Sequence, residues 1–191
     1  MSFVLASKSS RRKEILDMLS FDYRQESSDV NEIIDSLLKP EINAMSIAFQ
    51  KAFSVGKKYE NKTIIAADTI VTIDNKILGK PKNEIEAIEM LKLLNNKRHF
   101  VYTGLALINL NQGIKIVDYE KTEVVFKNNS IKTLEAYIKT KEPFGKAGAY
   151  AIQGKGGLLV DYFIGSFFNV IGLPIDTLNT NLIKYFDYRI L

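Results

Sequence analysis

At 191 residues, 46% of them hydrophobic and 25% charged, the chain has the size and composition of a single globular domain, 1–191, with a substantial buried core, which excludes a disordered or fibrous segment. It contains no cysteine and one histidine, His99, so disulfides, thiolate nucleophiles, zinc ribbons and multi-histidine metal sites are excluded, as is a Ser-His-Asp triad that His99 does not supply. The net charge of +4 suits a polyanionic partner or merely a lysine-rich surface; with no signal-peptide pattern and no apolar run near the ~20 residues of a spanning helix, a cytoplasmic protein without a membrane partner is expected.

Phe3 to Ala6 is a short apolar run expected to form a buried strand. A polar loop, Ser7 to Ser10, leads into a helix from about Ser10 to Leu19, with Ser9 or Ser10 available as its cap and Ile15, Leu16, Met18 and Leu19 on one face. That places Arg11 and Arg12 in the first helical turn. The helix dipole disfavours cations there, so two arginines point to an anion. Pro40 opens a second helix carrying Ile42, Met45, Ala48, Phe49, Ala52 and Phe53 at helical spacing. Thr63 to Ile73 is rich in β-branched residues and predicts a buried strand, followed by a turn at Asp74-Asn75 and a short strand from Lys76 to Leu78. A third helix starts at Asn83, with Glu86 completing a capping-box-like pair and Ile85, Ile88, Leu91 and Leu94 at helical spacing. Strands follow at Phe100 to Ile108 and Ile114 to Phe126, then a short helix capped by Ser130. A glycine-rich segment spans 145–172, and a last helix runs from about Ile175 to Tyr188. The expected fold class is α/β, an elongated mixed sheet flanked by helices, with two lobes around a cleft.

Several residues stand out chemically. Asp68 interrupts an apolar strand, where a carboxylate is costly unless it is paired or binds a metal; it suits a metal ligand or a general base, or else it caps a neighbouring turn. Lys80, in Gly79-Lys80-Pro81, is a lysine in a rigid turn, suited to a phosphate or simply part of the surface. Lys51 lies among Phe49, Ala52 and Phe53; it either snorkels from the apolar face or reaches into a shared site. Gln153 offers an amide that reads a base edge or makes an ordinary strand hydrogen bond. The glycines around it allow close approach to a ligand or tight turns, but they form neither a Walker loop nor GxGxxG. His99 stands beside an apolar strand and is expected to be structural. Tyr162, Phe163, Phe167 and Phe168 are expected in the core. Together, a helix start with two arginines, a buried carboxylate and two constrained lysines form the set that triphosphate chemistry needs, with any metal a hard cation such as Mg²⁺ or Mn²⁺.

LASKSSRRKEIL resembles the opening LASxSPRRxxLL motif of Maf-type nucleoside triphosphate pyrophosphatases, and AADTIV, GKP, TGLALI and EPFGKAGAYAIQGKGGLLVDYFIGSFFNVIGLP match the same family in the same order. The resemblance spans nearly the whole chain. It implies an inosine triphosphate pyrophosphatase-like fold and hydrolysis between the α and β phosphates, dependent on Mg²⁺ or Mn²⁺. It implies Asp68 as the proton acceptor that activates water, and Arg11, Thr69 and Gln153 as the residues of substrate choice. Ser7, Ser9, Arg12, Lys51 and Lys80 take the phosphate-binding positions, and Glu32 of the DVNE run joins Asp68 around the metal. AYAIQG with ADT and RR resembles the branch acting on dTTP and UTP, and the family is associated with septum formation, with sanitising non-standard nucleotides and with homodimers. Ser10 replaces the family's proline, which removes a fixed φ at the first helical position but adds a hydroxyl. A catalytically inert nucleotide-binding regulator and a nucleic-acid binder are the rival readings. The presence of Asp68, Glu32 and both lysines opposes the first, and the core spacing of the aromatics opposes the second, so no nucleic-acid partner is expected.

Overall fold

A computed structural model describes residues 2–190. Its strands are β1 (Phe3–Ala6), β2 (Tyr23–Glu26), β3 (Thr63–Ile73), β4 (Lys76–Leu78), β5 (Arg98–Asn109), β6 (Ile114–Phe126) and β7 (Val160–Ile164). Its helices are α1 (Ser10–Met18), α2 (Pro40–Gly56), α3 (Glu84–Leu94), α4 (Ile131–Lys139), α5 (Phe167–Ile171) and α6 (Ile175–Phe186). Among the described residues one seven-stranded sheet runs in the order β2-β1-β3-β5-β6-β7, with β4 paired to β3. It is mixed, as expected: β1 pairs in parallel with both β2 and β3, while β3–β4 and β6–β7 are antiparallel.

The chain divides into two compact units, each assembled from separated segments: residues 2–68, 103–120 and 172–190 in the first, and 69–102 and 121–171 in the second. In the first unit, Val4 and Ala6 of β1, Ile64 and Ala66 of β3 and Ala106 and Ile108 of β5 pack with Ala48, Ala52 and Val55 of α2. Gly104 is needed there, because a Cβ on it would stand 2.3 Å from the backbone carbon of Ala44. In the second unit, Leu91 and Leu94 of α3, Val101, Val124 and Phe126 of the sheet, and Leu134, Tyr137 and Ile138 of α4 form the core. Asn83 caps α3 by accepting from the Glu86 N–H at 2.8 Å, while the Glu86 carboxylate accepts from the Lys82 N–H. Ser130 caps α4 through the Thr133 N–H.

Three helix faces differ from expectation. On α2 the buried stripe is Asn43, Ala44, Ile47, Ala48, Lys51, Ala52 and Val55, leaving Ile42 exposed. Two polar residues occupy that stripe, so hydrophobicity alone sets its direction about one residue off. Met18 of α1 and Ile85 of α3 are also exposed, since neither short helix buries more than a narrow stripe. Ser9 holds the N-cap position of α1, but no side-chain cap hydrogen bond forms there.

β2, β7 and α5 add to the expected elements. The aromatics of the glycine-rich segment are a correction: Tyr162, Phe163 and Phe167 are exposed, and Phe168 is half-buried. β7 is the last strand of the sheet order, and along it only Val160 is buried. An end strand packs on one side only, so periodicity overstates its burial.

Candidate active site

Burial by helical spacing positions the first of the site residues. Ala44, Ile47, Ala48, Ala52 and Val55 keep one face of α2 in the core, and Lys51 shares that face at 7% exposure. Its ammonium meets two carboxylates, Asp68 Oδ1 at 2.6 Å and Glu32 Oε1 at 2.7 Å. Asp68, itself 8% exposed, lies inside β3, where the β-branched neighbours Ile64, Ile65, Ile70 and Val71 hold the strand in the core. A carboxylate so placed needs a partner, and Lys51 supplies it. The pairing decides both open readings: Asp68 does not cap a turn, and Lys51 does not snorkel to solvent.

Glu32 comes from the irregular segment before α2, and Asn43 ties that segment down. Its amide oxygen accepts from the Asp35 N–H at 2.8 Å, and its amide nitrogen donates to the Asp35 and Leu38 carbonyls at 2.9 and 3.2 Å. Sequence reasoning passes over Asn43, because an asparagine inside a helical pattern carries no motif. Burial at 2% exposure is what marks it.

The loop from β1 to α1 supplies the remaining first-unit residues. Ser7 is buried, and its hydroxyl accepts from the Ser9 N–H at 3.1 Å and from Arg12 Nη1 at 3.2 Å. Arg12 Nε also donates to the Gly172 carbonyl at 2.7 Å. Gln25 of β2 donates to the Ser7 carbonyl at 2.9 Å; β2 is too short and polar to announce itself, and Gln25 goes with it. Burial pulls the Arg12 pKa below its ordinary value, opposed by the charge of Asp68, aided by that of Arg11 and opposed by that of Glu32. The structure thus gathers Ser7, Ser9, Arg11, Arg12, Glu32, Lys51 and Asp68 in one electrostatic neighbourhood.

The other expected residues belong to the second unit. Thr69 follows Asp68 in β3 and is half-buried. Lys80 is exposed after β4. The Gly79 carbonyl beside it accepts from the Gly148 N–H at 3.1 Å, which ties this turn to the glycine-rich segment. Gln153 is exposed and lies outside any strand. His99 is fully buried, with Nε2 2.8 Å from Tyr150 Oη and edge-on contacts to Phe126 and Tyr150. Burial pushes its pKa down to about 4, with the Lys97 backbone pulling the other way. Its role is structural, as expected.

The described residues contain no group of three or more histidine, cysteine or acidic side chains able to hold a metal. Asp68 and Glu32 are nevertheless two hard oxygen donors already converging on one cation, the Lys51 ammonium. Mg²⁺ commonly binds through one or two carboxylates completed by substrate phosphates, and this pair fits that demand.

The chain is similar to known proteins along nearly its whole length. A family model described as "Maf-like protein" matches residues 2–185. A protein of Clostridioides difficile named dTTP/UTP pyrophosphatase is 45% identical over 190 residues, covering 100% of this chain and 98% of its own length. One of Caldicellulosiruptor saccharolyticus with the same name is 49% identical over 185 residues, covering 95% and 93%. Among solved structures, a HAM1 protein from Coxiella burnetii superposes with a TM-score of 0.54 at 17% identity, covering 96% of this chain and 99% of that one, which bears on the fold alone. A family match along almost the entire chain, joined to near-full-length relatives at this identity, makes the chain a member of the Maf-like family.

Proposed function

We propose that this chain hydrolyses nucleoside triphosphates, foremost dTTP and UTP, to the monophosphate and pyrophosphate. The observation that carries the reading is the buried Lys51 bridging Asp68 and Glu32 beside Arg12. The names of its near-full-length relatives support the substrate class.

Lys51 engages Oδ1 of Asp68, and the other carboxylate oxygen receives the proton of the attacking water. Arg11, Arg12 and Lys51 offset the charge of the phosphates, with Ser7 and Ser9 as hydrogen-bonding groups of the same loop. From the second unit, Lys80 is assigned to phosphate, and Thr69 and Gln153 to base choice. An amide carries both donor and acceptor, as a pyrimidine edge requires. Asp68 and Glu32 would hold Mg²⁺ or Mn²⁺, which when bound neutralises phosphate charge and favours attack at the α phosphorus. No described helix is long and apolar enough to cross a membrane. We place the enzyme in the cytoplasm as a homodimer, without nucleic-acid or membrane partners; sedimentation velocity tests the dimer.

Pyrophosphate release from dTTP, UTP, modified pyrimidine triphosphates and 7-methyl-GTP, with Mg²⁺ or Mn²⁺, tests the activity. Fast release from dTTP and UTP is expected, falling ~10²–10⁴-fold in Asp68→Asn, the usual effect of removing a general base. An unchanged kcat in that variant would remove Asp68 from this role. Turnover of 7-methyl-GTP alone would overturn the pyrimidine assignment.

A further inference from the structure

The loop that carries Gln153 is held on both sides by one pair of side chains that the proposed chemistry does not use. Tyr137 lies in the last turn of α4, and Glu142 follows three residues after that helix ends. The N–H of Ala151, two residues before Gln153, donates to Tyr137 Oη at 3.1 Å. That hydroxyl donates to Glu142 Oε1 at 3.0 Å. Beyond Gln153, the Gly156 N–H donates to Glu142 Oε1 at 3.0 Å and the Lys155 N–H to Oε2 at 3.1 Å. The chain therefore leaves this clasp at Ala151 and re-enters it at Lys155, with the exposed Gln153 between.

The fit is close. A Cβ on Gly154 would stand 2.8 Å from both Glu142 oxygens, and one on Gly156 would stand 2.5 Å from the Ala151 carbonyl and 2.6 Å from Tyr137 Oη. The clasp is anchored in turn, since Thr140 Oγ1 donates to the Tyr137 carbonyl at 2.6 Å and accepts from the Glu142 N–H at 3.2 Å. Desolvation raises the Glu142 pKa, but hydrogen bonds from Gly156, Lys155 and Tyr137 and the charge of Lys146 outweigh it and hold it below the ordinary value. The acceptor form is thus the one present at neutral pH.

We propose that Tyr137 and Glu142 are positioning residues that set base specificity by fixing the 151–156 loop around Gln153. The inference rests on Gln153 as the base reader. Uracil offers an acceptor at its 4-position where cytosine offers a donor. A glutamine amide serves either when it turns over. Where that amide stands relative to the base is set by its backbone, and the clasp holds that backbone on both sides.

The test compares wild type, Glu142→Gln, Tyr137→Phe and Gln153→Ala. The ratio of Kd values for UTP and CTP is read by calorimetry, kcat by pyrophosphate release, and loop opening by amide hydrogen exchange. Glu142→Gln is expected to accelerate exchange at Lys155 and Gly156 and to lower the UTP preference about tenfold, the worth of roughly one hydrogen bond, with a smaller change in kcat. A merely structural role would leave the preference where it is. If Glu142→Gln does not fold, Tyr137→Phe opens the other side of the loop and decides on the same ratio. An unchanged preference in the folded clasp variants overturns the proposal, whatever Gln153→Ala does. A preference lost in the clasp variants yet kept in Gln153→Ala upholds the clasp and transfers base reading to another residue of the loop. A wild type without UTP preference overturns both.

Discussion

Lys51 is the side chain on which the first unit's charges converge, and its removal has a calculable consequence. Lys51→Met would leave Asp68, 8% exposed, without the ammonium 2.6 Å away. Breaking a buried pair from one side typically costs about 3–5 kcal/mol. Urea denaturation of Lys51→Met should show a loss of that order at pH 7, together with loss of turnover; a stability within 1 kcal/mol of wild type, taking ~1 kcal/mol as the ceiling for an exposed pair, would mean that solvent already screens the site. His99 gives a pH signature. Its pKa of about 4 lies below the ordinary 6.5, so folding favours the neutral ring. Its effect is absent above pH 6.5, and stability is lost as pH falls from there towards 4, by about 3 kcal/mol. Glutamine in its place can still hydrogen-bond Tyr150 but does not titrate. The stability advantage of wild type over His99→Gln should therefore shrink by about that amount between pH 7 and pH 4. Asp68 is conspicuous in sequence because a carboxylate breaks an apolar run. Asn43 and Glu142 are not, because their work lies in hydrogen bonds to backbone that only the folded chain brings near.

The close approach of α2 to β5 is settled by a single glycine. In Gly104→Ala the added methyl would meet the Ala44 carbonyl carbon, the Ala44 oxygen and the Met45 nitrogen, all within 2.5 Å. These are backbone atoms, which cannot swing aside as a side chain does, so the helix itself must shift. Overpacking of this kind costs about 1–3 kcal/mol. Because α2 also carries Lys51, thermal denaturation and pyrophosphate release should fall together in this variant; a lower Tm with full activity would separate the packing from the site. Most elements are legible from local pattern, among them β1, β3, β4 and β6, whose ends follow turn residues and β-branched runs. β2, β7 and α5 are not: β2 is polar and defined by its pairing with β1, and β7 and α5 lie inside the glycine-rich segment, where turn residues hide the ends of short elements.

Neither compact unit is continuous in the chain. Residues 172–190 come last but belong to the first unit, to which they add the buried Leu173, Leu178, Leu182 and Phe186 and the Gly172 carbonyl that accepts from Arg12. A chain ending after Ile171 would expose the surfaces these residues cover and lose an Arg12 anchor. It should lack the cooperative thermal transition of the full chain and release no pyrophosphate. A truncated chain that melted cooperatively would show that the first unit closes without α6.

Composition and order along the chain were enough for the α/β class and for family membership, because each depends on residue identity or local period. Which face of α2 is buried, that Lys51 bridges Asp68 and Glu32, that Tyr162 and Phe163 are exposed, and that Tyr137 and Glu142 grip the Gln153 loop depend on contacts between residues distant in sequence. Such contacts exist only once burial has forced each polar group to find a partner.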